Sequence, residues 1–148
     1  MIHRAKPLAA ALGLGLFASI AHAQATPAGL WKTIDDETKK EKSLVRIGEA
    51  GGVYTGKIEK LLDPTKQDSV CDKCTDDRKD KPVLGMTIIK GVKQNVDDKA
   101  KWDGGEILDP NNGKTYKVRL TPVDGGKTLE VRGFIGPFYR NQTWTRVE

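Results

Sequence analysis

Histidine, cysteine and methionine each occur only twice in these 148 residues, and the positions of the histidines matter more than their number. His3 and His22 both precede residue 24. Residues 1–23 read as a secretory signal, with Arg4 and Lys6 as its positive start, Leu8 to Ile20 as its apolar stretch and Ala21-His22-Ala23 as its cleavage site. That apolar stretch is shorter than the roughly 18 residues a membrane span needs, and no cysteine follows the cleavage site to carry a lipid. The chain left after cleavage, residues 24–148, contains no histidine. It lacks the partner of Ser-His and Cys-His nucleophiles, the proton carrier of neutral pH and the commonest zinc ligand. No phosphate-cradling glycine loop precedes a helix, and no G-x-S-x-G is present. We read no catalytic residue, no metal and no cofactor in this chain, and expect a protein that is not an enzyme.

A strong charge of either sign is also missing. Without Arg4 and Lys6, the 25 basic residues become 23 against 20 acidic ones, a net charge of +3. The basic residues are interspersed with acids and form no stripe alternating with aromatics, which speaks against nucleic acid as a partner. Beyond the leader no run is long and apolar enough to form a transmembrane segment. Export to the periplasm, or alternatively to the outside of the cell, leaves a small molecule or an envelope protein as the expected partner.

What is present is alternation. Gly29 to Ile34, Ser43 to Ile47, Val53 to Leu62, Val83 to Val92, Lys99 to Leu108, Thr115 to Leu120, the strand carrying Leu129, Val131 and Gly133, and Gln142 to Val147 read as strands. Asp35 to Lys42, Gly51-Gly52, Asp109 to Gly113 and Asp124 to Gly126 read as loops and turns. In the third strand Tyr54, Gly56, Ile58, Lys60 and Leu62 share a face, and Gly56 suits a bend or a close neighbour. Gly104-Gly105 suits a bulge. Val83 to Val92 is apolar on both faces, so something is expected to cover its outer side, the preceding insertion being nearest. The expectation is an all-β fold: one antiparallel, roughly eight-stranded up-and-down barrel over residues 24–148, with a β-sandwich as the alternative.

Three groups of residues invite a chemical reading. Cys71 and Cys74 lie in the long polar insertion from Asp63 to Pro82. In an exported protein they read as a local disulfide. A redox dithiol would want a βαβ setting that is absent, and a zinc site would need Asp72, Asp76 or Asp77 to complete it. Trp31, Trp102 and Trp144 read as core or barrel-end residues, the other option being stacking platforms for sugars. The segment Val131 to Arg146 holds both phenylalanines that follow the leader. There Arg132 and Arg140 flank Phe134, Phe138 and Tyr139, so these five form a candidate rim for an anionic or aromatic ligand or a partner. A solvent-facing strand end is the competing reading.

Gly29-Leu30-Trp31 on the first strand and Arg146 on the last resemble the Gly-x-Trp and C-terminal Arg of lipocalin-like (calycin) barrels. That resemblance implies that the Trp closes one end and the Arg packs across it, and Trp144, two residues before Arg146, is a second possible partner. More of the chain resembles the family called domain of unknown function 2147, small exported bacterial proteins. The matching pieces include Gly29-Leu30-Trp31-Lys32-Thr33, Cys71 and Cys74, Trp102-Asp103-Gly104-Gly105-Glu106-Ile107-Leu108-Asp109-Pro110, Val131-Arg132-Gly133-Phe134-Ile135-Gly136 and Gln142-Thr143-Trp144-Thr145-Arg146. The family implies export and a single domain and carries no activity over.

Overall fold

Alternating sequence becomes alternating burial. The computed structural model describes residue 13 and residues 25–148; the leader read at residues 1–23 lies, apart from residue 13, outside them. Eight strands follow in order: β1 (Gly29–Ile34), β2 (Glu41–Ala50), β3 (Val53–Leu61), β4 (Thr87–Gln94), β5 (Trp102–Asp109), β6 (Lys114–Val123), β7 (Thr128–Ile135) and β8 (Phe138–Arg146). Each pairs antiparallel with the next, and β8 returns to β1, closing a barrel in sequence order. The barrel is therefore up-and-down, and closure removes the exposed strand edges that a sandwich would keep.

Because neighbouring strands alternate in direction, the connections fall at two ends. The turns at residues 51–52, 95–101 and 124–127 share an end with the start of β1 and the finish of β8. The loop at 35–40, the insertion between β3 and β4, the turn at 110–113 and the turn at 136–137 lie at the other. The first is closed by packing, the second is open. Inward residues of the closed half are apolar and buried, including Trp31, Val45, Ile47, Ile58, Ile89, Val92, Trp102, Leu120, Leu129, Val131 and Trp144.

Register irregularities account for the departures from simple alternation. A shift between Leu44 and Val45 lets Val45 pair with Ile58 while Leu44 pairs with Lys60. This turns Leu61 inward, so the expectation that Leu62 and Lys60 continue the inner face is corrected. The strand expected at Val83 to Val92 begins only at Thr87; Val83 to Met86 form a turn whose backbone bonds to Ile58 through Gly85 N–H and the Met86 carbonyl. Glu41 and Lys42, read as loop, lengthen β2. The Gly104-Gly105 bulge is present as a register shift between Trp102 and Gly105. Gly56 faces Ile89 across β3 and β4, so closely that a Cβ at position 56 would stand 3.0 Å from the isoleucine Cβ.

The outer side of β4 is covered as expected. Ile88 and Leu108 face away from the lumen yet are buried in one cluster with Cys71, Cys74, Val83 and Met86 of the insertion. Cys71 and Cys74 are joined in a disulfide. The knuckle they form rests on the turn between β5 and β6: Cys71 Sγ lies 3.7 Å from the Pro110 carbonyl oxygen. Gly113, at φ +71°, has no room for a Cβ, which would collide with the Lys73 carbonyl. Arg78 fixes the far side of the insertion by donating to the Thr87 carbonyl at 3.0 Å and gripping Asp76.

Candidate functional site

At the closed end the guanidinium of Arg146 lies over the Trp31 ring, 4.2 Å from its centroid. It also donates to the backbone carbonyls of Ala28 (2.9 Å), Thr26 (3.1 Å) and Gly126, while Trp31 Nε1 donates to the Pro27 carbonyl at 2.8 Å. The choice between Trp31 and Trp144 as the arginine's partner is thus resolved for Trp31. Trp144 donates instead to Gln142 Oε1 at 2.9 Å. Gly29 has φ +141°, and a Cβ there would collide with Arg146 Nη1. The glycine of Gly-x-Trp is the space the arginine occupies. Among the described residues, Trp102 Nε1 is a buried side-chain donor without a hydrogen-bond partner.

The open end is built differently. In the inner row of β5 to β8, Ile107, Tyr116, Gly133 and Gln142 point inward yet remain half-buried, and Arg140 is exposed. Inward-facing residues that keep contact with solvent leave this end unsealed above the packed floor, and we refer to it as the vestibule. Its polar wall is a relay. Gln142, held by Trp144, donates to Asp36 Oδ2 at 2.7 Å, and Arg140 sits between Asp36 (3.5 Å) and Asp109 (3.2 Å). Arg140 also lies 6.0 Å from the Tyr116 ring centroid, and the Tyr116 hydroxyl accepts from Asn112 Nδ2 at 2.8 Å.

Local backbone chemistry places these groups. Asp35 Oδ1 accepts the N–H groups of Glu37 and Thr38, folding the loop so that Asp36 reaches β8. Those bonds, that from Thr38 first, hold the Asp35 carboxyl below the usual carboxylate range. Asp109 uses one oxygen to cap its own turn at Asn111 N–H and the other for Arg140, so the turn residue also belongs to the relay.

The five rim candidates do not form one rim. Pairing along β7 and β8 sends Phe138 and Arg140 to the inner lip and Arg132, Phe134 and Tyr139 to the outer wall, because successive strand residues point to opposite faces. On the outer wall Arg132 lies over Tyr139 (4.4 Å), Arg119 over Phe134 (5.6 Å), and the two rings are 6.3 Å apart. Two grooves also lie outside the barrel. One, about 450 Å³, runs between the insertion and β4 past Arg78, Leu84 and Met86. The other, about 880 Å³, crosses β4 to β6 over the bare backbone of Gly91, Gly104 and Gly105 beside Phe134; its charged walls include the Lys90–Glu106 and Arg119–Asp103 pairs. Asp36, Asp109, Asn112, Tyr116 and Gln142 were not singled out as site residues in the sequence. Only the spacing of Gln142 and Trp144, two apart on one strand face, hinted at the relay, since the other members are joined by chain closure.

The family described as "Uncharacterized protein conserved in bacteria (DUF2147)" matches residues 29–146, from the glycine of Gly-x-Trp to the arginine that covers the indole. The chain belongs to this family. No curated protein matches the chain. Among solved structures, Protein HP1028 from the human pathogen Helicobacter pylori, described as belonging to the lipocalin family, is similar, with a TM-score of 0.71 and 21% identity. The match covers 84% of each chain. At that identity the likeness shows the fold, and this DUF2147 protein has a lipocalin-like barrel. Among its described residues no helix is long and apolar enough to cross a membrane.

Proposed function

We propose that the barrel is a non-enzymatic binding protein that takes a small, partly apolar ligand at its open end. The observation that carries this reading is the vestibule: inward residues of β5 to β8 left half-buried over a floor that is otherwise filled. An eight-stranded barrel is just wide enough to be filled by side chains or to hold one small ligand. Here the tryptophans fill one half, so the ligand is shallow rather than engulfed. Its apolar part rests on Ile107 and on Tyr116, whose side chain covers Gly133, and its acceptor-bearing head competes with Asp36 and Asp109 for Arg140. The same reading has residues 1–23 removed on export and residues 24–148 acting as one unit in the periplasm.

The test is native mass spectrometry of the protein purified from its own host, beside Tyr116→Ala and Arg140→Gln. The reading expects a recurrent small-molecule adduct on the parent and its depletion in both variants. Repeated recovery of an empty parent, or an adduct indifferent to both substitutions, would overturn it.

A further inference from the structure

The tip of the β7–β8 hairpin has no role in the barrel's packing. Ile135 is 44% exposed, Phe138 74% and Tyr139 60%, three large apolar side chains within five consecutive residues around Gly136-Pro137. Such a cluster on a surface otherwise rich in charge marks a contact with something apolar. The sequence around it is one-sided: from Val131 to Val147 there are three arginines and no acidic residue. The arginines nearest the tip are set back from it on both faces. At about 3.4 Å per strand residue, Arg140 stands ~7 Å behind Phe138 and Arg132 ~10 Å behind Ile135. An element lying in a membrane interface buries its apolar face by about 5–10 Å, so the arginines fall at headgroup depth. Tyr139 adds an amphipathic ring of the kind enriched at that depth.

We infer that the β7–β8 hairpin tip seats this protein on an anionic lipid surface, with the open end of the barrel turned toward the bilayer. Ile135, Phe138 and Tyr139 enter the interface, and Arg132 meets lipid phosphates from the outer wall. A lipid surface fits better than a protein pocket because the apolar groups lead and Arg132, 3.5 Å from Glu130, trails them on the outer wall, while Arg140 on the inner lip stays with Asp36 and Asp109. The inference deepens the binding reading by naming the source of the ligand, and rests on it only for that. The seating itself stands on the tip.

The experiment is co-sedimentation of the full chain with phosphatidylcholine vesicles and with vesicles containing roughly one-third phosphatidylglycerol, alongside Phe138→Asp, Tyr139→Asp and Arg132→Gln. The parent is expected to sediment with the anionic vesicles. Each aspartate is expected to weaken partitioning on the order of tenfold, and Arg132→Gln about fivefold on anionic vesicles alone. Both ring side chains are exposed, so the variants keep the barrel, which circular dichroism checks. A parent that leaves both vesicle types in the supernatant, or variants that bind as well as the parent, would overturn the inference. A tip-dependent dimer in sedimentation velocity, or tip-dependent capture of a protein, without vesicle binding would also overturn it. An adduct on the parent without vesicle binding keeps the carrier reading and removes this one. Vesicle binding by a parent that is always empty does the reverse.

Discussion

The two ends of the barrel use the same kinds of side chain for opposite purposes. Each has an arginine beside an aromatic ring: Arg146 with Trp31 at the closed end, Arg140 with Tyr116 at the open end. Arg146 is bound to three backbone carbonyls, those of Thr26 and Ala28 just before β1 and of Gly126 in the turn before β7, so one guanidinium ties the chain's two ends to that turn. Arg140 is bound to two carboxylate side chains, Asp36 in the 35–40 loop and Asp109 at the end of β5, and ion pairs between exposed side chains yield at little cost. The first arrangement is a latch, the second a set of contacts a ligand can replace. What separates them is less the residue types than the rigidity of their partners.

The largest effect is expected where the latch is broken. Trp31→Ala should cost about 3–5 kcal/mol in urea unfolding, the range for emptying a packed aromatic site. Arg146→Lys should cost ~2 kcal/mol, since an ammonium cannot reproduce a fork bonded to several carbonyls. Equal stability for either variant would remove the distinction between the ends. Replacing Cys71 and Cys74 together with serine should cost ~2 kcal/mol by loop-closure entropy for so short a loop. The loss should appear in the insertion, as faster amide exchange at Cys71 and Asp80, with β1 and β8 unaffected.

The insertion also has its own pH dependence. Hydrogen bonds from the Arg78 side chain, then from its backbone N–H, lower the Asp76 carboxyl to about 2. A carboxylate depressed in the folded state contributes stability that is present above its unfolded value near 4 and is lost as pH falls toward 2. Acidification between about pH 4 and pH 2 should therefore loosen the insertion where Arg78 meets Thr87, and Asp76→Asn should abolish that dependence when exchange of the Thr87 region is followed against pH. The smallest effect is expected at the open end. Arg140→Gln should change stability by less than about 1 kcal/mol, as for other exposed ion pairs, while weakening ligand retention.

Much of the barrel was legible because closure depends on local signals. Turn residues and period-two alternation fix each hairpin, and hairpins in series leave up-and-down order as the simplest arrangement. The latch was legible too, since Gly29 and Trp31 stand at one chain end and Arg146 at the other. Strand phase was not. The shift beside Val45 and the bulge of Gly104-Gly105 depend on how neighbouring strands accommodate each other, so Leu61 rather than Leu62 turns inward. The vestibule was least visible of all. Asp36, Asp109 and Arg140 meet because the 35–40 loop, the end of β5 and the start of β8 reach the same end of a closed sheet, and nothing in the local pattern of any one segment announces the other two. The five rim residues divide between two faces because the hairpin pairs Ile135 with Phe138 and Phe134 with Tyr139, a register the sequence around Gly136-Pro137 does not announce.

Amide hydrogen exchange along the whole chain tests the division of the barrel most directly. The account predicts that Leu30, Arg146 and Val147, whose N–H groups bond across the closed end, exchange only through global unfolding. Amides of the 35–40 loop, the 110–113 turn and the Ile135 to Arg140 tip should open locally, with far lower protection. Uniform protection at both ends, or faster exchange at the latch than at the vestibule, would contradict it.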